Sequence, residues 1–138
     1  MTTTTASEHN IDISIVGGGM VGAAIALTLS QAGIRVALIE KQPPPEFNAD
    51  SAPDLRVSSI NLASEAWLTQ LGAWQALEQM RLCAYQRLQA FEQPHSIVTF
   101  NAADIKRSHL GHIVENNLLQ LALWQQFGAN VRLFCPSS

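Results

Sequence analysis

Gly17, Gly19 and Gly22 stand in a G-x-G-x-x-G spacing, with Gly18, Met20 and Val21 filling the variable positions. At a strand-to-helix junction each glycine has its own task. Gly17 permits a tight turn out of the strand, Gly19 lets a pyrophosphate approach the backbone, and Gly22 lets the helix lie against the sheet. The amides that open such a helix, from Gly18 through Met20 and Val21, face the anion with the helix dipole behind them. Glu40 follows Gly22 by 18 residues, close to the interval of about 20 expected of an acid that binds a ribose hydroxyl pair. A carboxylate there disfavours a ribose carrying a 2′-phosphate, and the neighbouring Lys41 is too ambiguous to reverse this. The pattern reads as a dinucleotide site. It does not separate NAD from FAD, and a purely structural turn can also carry it.

The surrounding elements must place these residues correctly. Ile11, Ile13, Ile15 and Val16 read as a short strand, buried on both faces or nearly so. Met20 to Gln31 reads as a helix closed by Gly33, and Arg35 to Glu40 as a second strand, giving a right-handed βαβ unit with parallel strands. The segment KQPPPEFNADSAPD is a long loop. From Ile60 the pattern turns helical, with Leu62, Ala66, Leu68 and Leu71, then Gly72, then Trp74, Leu77 and Met80 in a second short helix. Alternation at Leu88 and Ala90, and again at Ile97 and Thr99, predicts a β-hairpin around Gln93-Pro94-His95. Ile113 to Phe127 reads as a further helix and Asn130 to Cys135 as a last strand. The fold class is therefore α/β: a Rossmann-like βαβ lobe with inserted helices and a hairpin. Only three segments are good candidates for its parallel sheet, so the lobe looks incomplete.

Composition narrows the function. The chain has 138 residues, 47% of them hydrophobic, and a net charge of −3. It offers no basic stripe for a nucleic-acid backbone. Residues 1–10 are polar and read as a flexible leader, without the blocks of a signal peptide, and no stretch is long and apolar enough to span a bilayer. That points to the cytoplasm. Cys83 and Cys135 have no spacing to His9, His95, His109 or His112 that suggests a metal site, and they read as buried, reduced thiols. His112, beside a helix start, reads as structural.

The segments DLRVSSINLASEAWLTQLGAW (Asp54 to Trp74) and GHIVENNLLQLALWQ (Gly111 to Gln125) resemble the flavin hydroxylases of ubiquinone biosynthesis, relatives of para-hydroxybenzoate hydroxylase. NADSAPDLRVSSI, MRLCAYQRLQAFE and VENNLLQLALW look closest to the branch that hydroxylates the demethoxyubiquinol ring. The likeness runs from about Ile11 to the end. It implies that the glycine turn holds the FAD pyrophosphate, that Glu40 holds the adenosine ribose, and that Arg56 sits near the diphosphate. A guanidinium beside a pyrophosphate forms charge-assisted hydrogen bonds, although a solvated loop arginine fits the residue equally well. One departure concerns the start of the later helix, where relatives often carry an arginine. Here stand Glu115, Asn116 and Asn117, and Asn116 or Asn117 suits an N-cap.

The resemblance implies that NAD(P)H reduces FAD and that one atom of O2 passes to an electron-rich aromatic ring, a polyprenylated quinol or phenol. No catalytic residue is assigned within these 138. About two-thirds of a usual member would lie beyond Ser138, so residues 11–138 look like the N-terminal part of the FAD-binding domain, without the substrate domain. Such a piece is expected to be inactive, to bind FAD weakly, and to self-associate. Two other readings stay open: a non-catalytic dinucleotide-binding or interaction module that docks within a biosynthetic assembly, and an NAD-dependent dehydrogenase. A polyprenyl substrate also implies work at the inner face of the cytoplasmic membrane.

Overall fold

In chain order the elements are β1 (Ile13–Val16), α1 (Met20–Gln31), β2 (Val36–Ile39), β3 (Val57–Asn61), α2 (Leu62–Gln70), α3 (Ala73–Glu78), β4 (Cys83–Tyr85), β5 (Arg87–Phe91), β6 (Ile97–Asn101), a 3-10 turn (Ala102–Ile105), β7 (Gly111–Glu115), α4 (Asn116–Trp124) and β8 (Val131–Phe134). The computed structural model describes residues 10–92 and 96–136. The expected leader, apart from Asn10, and the hairpin tip at Gln93-Pro94-His95 lie outside these residues.

The chain divides into two compact units, one of residues up to Pro43 together with those from Phe127, the other Pro44–Gln126. In the first unit β1, β2 and β8 form a parallel sheet in the order β1-β2-β8, with Ile13 opposite Val36 and Val36 opposite Val131. Parallel neighbours require a crossover, and α1 supplies it between β1 and β2. Ala26, Val36 and Leu38 form the buried centre, with Ile15, Leu29, Ile34, Phe127 and Val131 packed around them. At α1's far end Ala32 is the C-cap and the Gly33 N–H reaches the Ser30 carbonyl at 3.0 Å. The expected βαβ unit, helix boundaries and last strand are all present.

Burial of β1 differs from expectation. Ile13 and Val16 are exposed, and only Ile15 is half-buried. The reason is position: among the described residues β1 pairs only with β2, whereas the central strand β2 buries Val36, Ala37 and Leu38.

The second unit holds an antiparallel sheet in the order β3-β7-β4 and the separate hairpin β5-β6. Leu68, Leu71, Trp74, Leu77, Val114, Leu118, Leu119 and Leu123 are buried here. The Asn61 side chain caps α2 by accepting the Ser64 N–H at 2.9 Å. The hairpin pairs Arg87 with Asn101 and Phe91 with Ile97, as the alternation predicts, but every residue of β5 is exposed.

Three further expectations are corrected. Ile60 does not open a helix; it belongs to β3, which pairs with β7 from Val57↔Glu115 to Asn61↔Gly111. Ile113 likewise lies in β7, so the later helix begins at Asn116, and its N-cap is Glu115 rather than either asparagine. Asn116 instead accepts the Ser58 hydroxyl at 2.6 Å, and Asn117 donates to Asp54 at 2.5 Å. Finally, Cys83 and Cys135 are free but not buried: Cys83 is exposed and Cys135 half-buried. Edge strand β4 carries Cys83, and Cys135 follows the outer strand β8.

Candidate dinucleotide-binding site

At the carboxyl end of β1 the chain turns through Gly17, whose φ of +101° is closed to ordinary side chains, and whose N–H reaches the Ile39 carbonyl at 2.8 Å. Gly19 then caps α1 with no side-chain hydrogen bond, and the first intrahelical bond runs from the Ala23 N–H to the Gly19 carbonyl. The N–H groups of Met20, Val21 and Gly22 precede that bond and have no acceptor inside the helix. No acidic residue stands in the first turn, so nothing there opposes an anion.

The glycines are not equivalent. A Cβ on Gly22 would lie 1.9 Å from the Gly17 carbonyl oxygen, so the helix can approach the turn only with hydrogen at that position. A Cβ on Gly19 would meet nothing within 4 Å. The space before Gly19 is thus not needed for folding, and it lies where a ligand phosphate would approach the helix start. Val16 and Val21, 82% and 67% exposed, add uncovered apolar surface on either side of the turn.

Glu40 follows directly on β2, parallel to β1, and this register brings its carboxylate back to the turn. Its Oε2 accepts the buried Gly18 N–H at 2.6 Å, while Oε1 accepts the N–H groups of Lys41 at 2.6 Å and Gln42 at 3.2 Å. The Gly18 bond, with those from Gln42 and Lys41, outweighs partial burial and holds the carboxyl below its ordinary value of 4.5. Glu40 is therefore an anion at the end of the strand, with lone pairs left for hydroxyl donors. The sequence-predicted residues Gly17, Gly18, Gly19, Met20, Val21, Gly22 and Glu40 come together in this unit, and their geometry fits the ADP half of a dinucleotide.

Arg56 belongs to the other unit, just before β3. It is exposed, its N–H donates to Asp54 Oδ1 at 3.0 Å, and its carbonyl accepts the Asn116 N–H at 2.9 Å. The long loop before it is anchored by Arg81, which donates to the Ser51 carbonyl at 3.0 Å and lies 3.2 Å from Glu115 Oε1. The other Glu115 oxygen accepts the Asp54 N–H at 2.8 Å. Glu115 is thus occupied in holding this loop.

A cavity of about 480 Å³ in the first unit, lined by Asn10, Arg35, Asn130 and Arg132 among others, lies at the amino ends of the strands and so away from the glycine turn. Nothing in the sequence pattern links Glu65 with His109 and His112. The fold joins them, with Glu65 Oε2 at 2.9 Å from His109 Nε2 and 3.1 Å from His112 Nδ1. These residues are 44 and 47 positions apart, and no local spacing signals the contact.

The chain is 48% identical over 129 residues to the 3-demethoxyubiquinol 3-hydroxylase of Escherichia coli K12, covering 92% of this chain and 33% of that protein. It is 33% identical to the mitochondrial ubiquinone biosynthesis monooxygenase COQ6 of Danio rerio, covering 88% and 26%. Among solved structures, a variant of PqsL from P. aeruginosa superposes with a TM-score of 0.68 at 19% identity, over 91% of this chain and 33% of that one. The p-nitrophenol 4-monooxygenase PnpA of Pseudomonas putida gives 0.64 at 19%, over 89% and 31%. These likenesses establish the Rossmann-like fold, and the chain spans about a third or less of each protein's length. A family model described as FAD dependent oxidoreductase matches residues 12–98, a span that includes the glycine turn, Glu40 and Arg56. The chain belongs to the FAD dependent oxidoreductase family.

Proposed function

We propose that these residues form the ADP-binding part of a longer FAD-dependent monooxygenase, which hydroxylates a polyprenylated quinol or phenol ring in ubiquinone biosynthesis with NAD(P)H and O2 as co-substrates. The observation that carries this reading is the 48% identity to a demethoxyubiquinol hydroxylase across 92% of the chain. The open space before Gly19 and the anionic Glu40 support its cofactor part.

Bound FAD would supply electron acceptance from NAD(P)H and activation of O2. The work left to this chain is binding and orientation. The amides of Met20, Val21 and Gly22 and the dipole of α1 favour the pyrophosphate. Glu40 accepts the ribose hydroxyls while its bond to Gly18 fixes the carboxylate in place. No residue of the chain is assigned a proton or nucleophile in the reaction.

A polyprenyl tail partitions into lipid, so we place the reaction at the inner face of the cytoplasmic membrane, with peripheral attachment. No helix among the described residues is long and apolar enough to cross a membrane. Docking within a biosynthetic assembly and self-association belong to the same proposal. Exposed Leu88, Phe91, Val98 and Phe100 on the hairpin favour association. The test is to purify the protein as its gene encodes it and supply a polyprenylated demethoxyquinol, NAD(P)H and O2. A product heavier by one oxygen atom is expected; NAD(P)H consumption with unchanged quinol would overturn the substrate assignment.

A further inference from the structure

Glu65 lies in the first turn of α2, His109 in the approach to β7, and His112 within β7. Antiparallel pairing sets His112 opposite Ile60, near the end of β3, and α2 starts two residues later. The strand-to-helix corner therefore swings Glu65 onto both imidazoles. All three ligand atoms lie within 4.8 Å of one another. From these contacts we infer that Glu65, His109 and His112 form a binding site for a zinc-class divalent cation.

Zinc–nitrogen and zinc–oxygen bonds of about 2.0–2.2 Å place tetrahedral donor atoms roughly 3.3–3.5 Å apart. The two carboxylate-to-imidazole separations, 2.9 and 3.1 Å, would widen slightly to admit the ion, and the two imidazole nitrogens, within 4.8 Å of each other, would close on it. Two imidazoles and one carboxylate are a zinc-type donor set rather than one for calcium or magnesium.

The surroundings hold the ligands but leave a way in. His112 is buried and packs edge-on against Trp74, with ring centroids 5.0 Å apart. The Ser108 hydroxyl lies 2.9 Å from His109 Nδ1 and can orient that ring as outer partners of zinc ligands do. Glu65 and His109 retain 21% and 22% side-chain exposure, and a cavity of about 500 Å³ lined in part by Glu65, Ser108 and His109 offers room for water as a fourth ligand. Arg107 lines the same cavity; its charge opposes the cation, so neutralising it tightens binding. The ion would join α2 to β7 and act as a structural clip. This inference does not depend on the flavin reading.

The test uses metal-stripped protein with Cys83 and Cys135 replaced by serine, which removes both thiols as competing ligands. Zinc is titrated against a chromophoric chelator, with thermal unfolding followed in parallel. One equivalent is expected to bind and raise the unfolding temperature. His109→Gln and Glu65→Gln, both at partly exposed positions, should each weaken binding at least about tenfold, and Arg107→Gln should strengthen it. The cobalt complex should show a tetrahedral spectrum without thiolate charge transfer. No stoichiometric zinc, or zinc held equally well by His109→Gln and Glu65→Gln proteins that remain folded, would overturn the site.

Discussion

The Glu40 carboxylate accepts the Gly18 N–H at 2.6 Å, so the end of the second strand is fastened to the turn between the first strand and its helix. The bond ties two parts of the dinucleotide fingerprint together before any ligand arrives. A preset carboxylate spares the cofactor the cost of ordering it.

Replacing Glu40 by Gln keeps the shape but removes the charge. Hydrogen bonds to a charged group contribute about 1.5–3 kcal/mol, so FAD affinity of the encoded protein should fall roughly ten- to a hundredfold. Because Glu40 titrates below 4.5 in the folded protein, its contribution is fully present above the unfolded value and is lost as pH falls through the folded one. FAD titrations from neutral pH downward should show the gap between wild type and Glu40→Gln closing only as pH falls through the lowered folded value of Glu40.

Gly19 and Gly22 should separate binding from folding. Gly22→Ala drives a methyl into the Gly17 carbonyl oxygen and should lower the unfolding temperature. Gly19→Ala points into open space and should leave that temperature nearly unchanged while weakening FAD. Thermal melts beside flavin titrations check both, and a large loss of stability in Gly19→Ala would contradict the assignment of that space to ligand.

At the opposite ends of the strands, Asp12 receives the Arg35 guanidinium in two hydrogen bonds, at 2.9 and 2.7 Å, and the Arg35 N–H in a third. The side-chain bonds lead in lowering its carboxyl from 3.8 to about 2. Stability from this pair is present above 3.8 and lost as pH falls towards about 2. Denaturant melts of wild type and Asp12→Asn should differ by a constant amount above about pH 5 and converge across that acid window. The pair is exposed, so the difference should be small and shrink with salt.

Leu123 on α4 is fully buried. Leu123→Ala should destabilise the protein by about 2–5 kcal/mol through lost burial and the cavity left behind, read as a lower denaturant midpoint. A change within error would contradict the buried role given to this helix.

Much of the first unit was legible because its signals are local. Glycine spacing, helix boundary and acid all fall within Ile11 to Glu40, and the structure places them accordingly. Apolar content overstates the burial of β1, because it does not show whether a strand is central or at an edge. VSSIN concealed β3, since Ser58 and Ser59 weaken the alternation that would mark a strand. Ile113 and Val114 run into the apolar face of α4, so β7 read as the start of the helix. Glu65, His109 and His112 meet through antiparallel pairing over more than forty residues, a contact that local spacing does not encode.

The turn before α1 is proposed to hold FAD. The most direct measurement is the affinity of the encoded protein for FAD, followed by flavin fluorescence, for wild type beside Gly19→Val. One flavin per chain is expected in the wild type, and a loss of at least about tenfold in Gly19→Val at an unchanged unfolding temperature, since the larger side chain occupies the space before the first-turn amides. Equal flavin affinity in both folded proteins would contradict it.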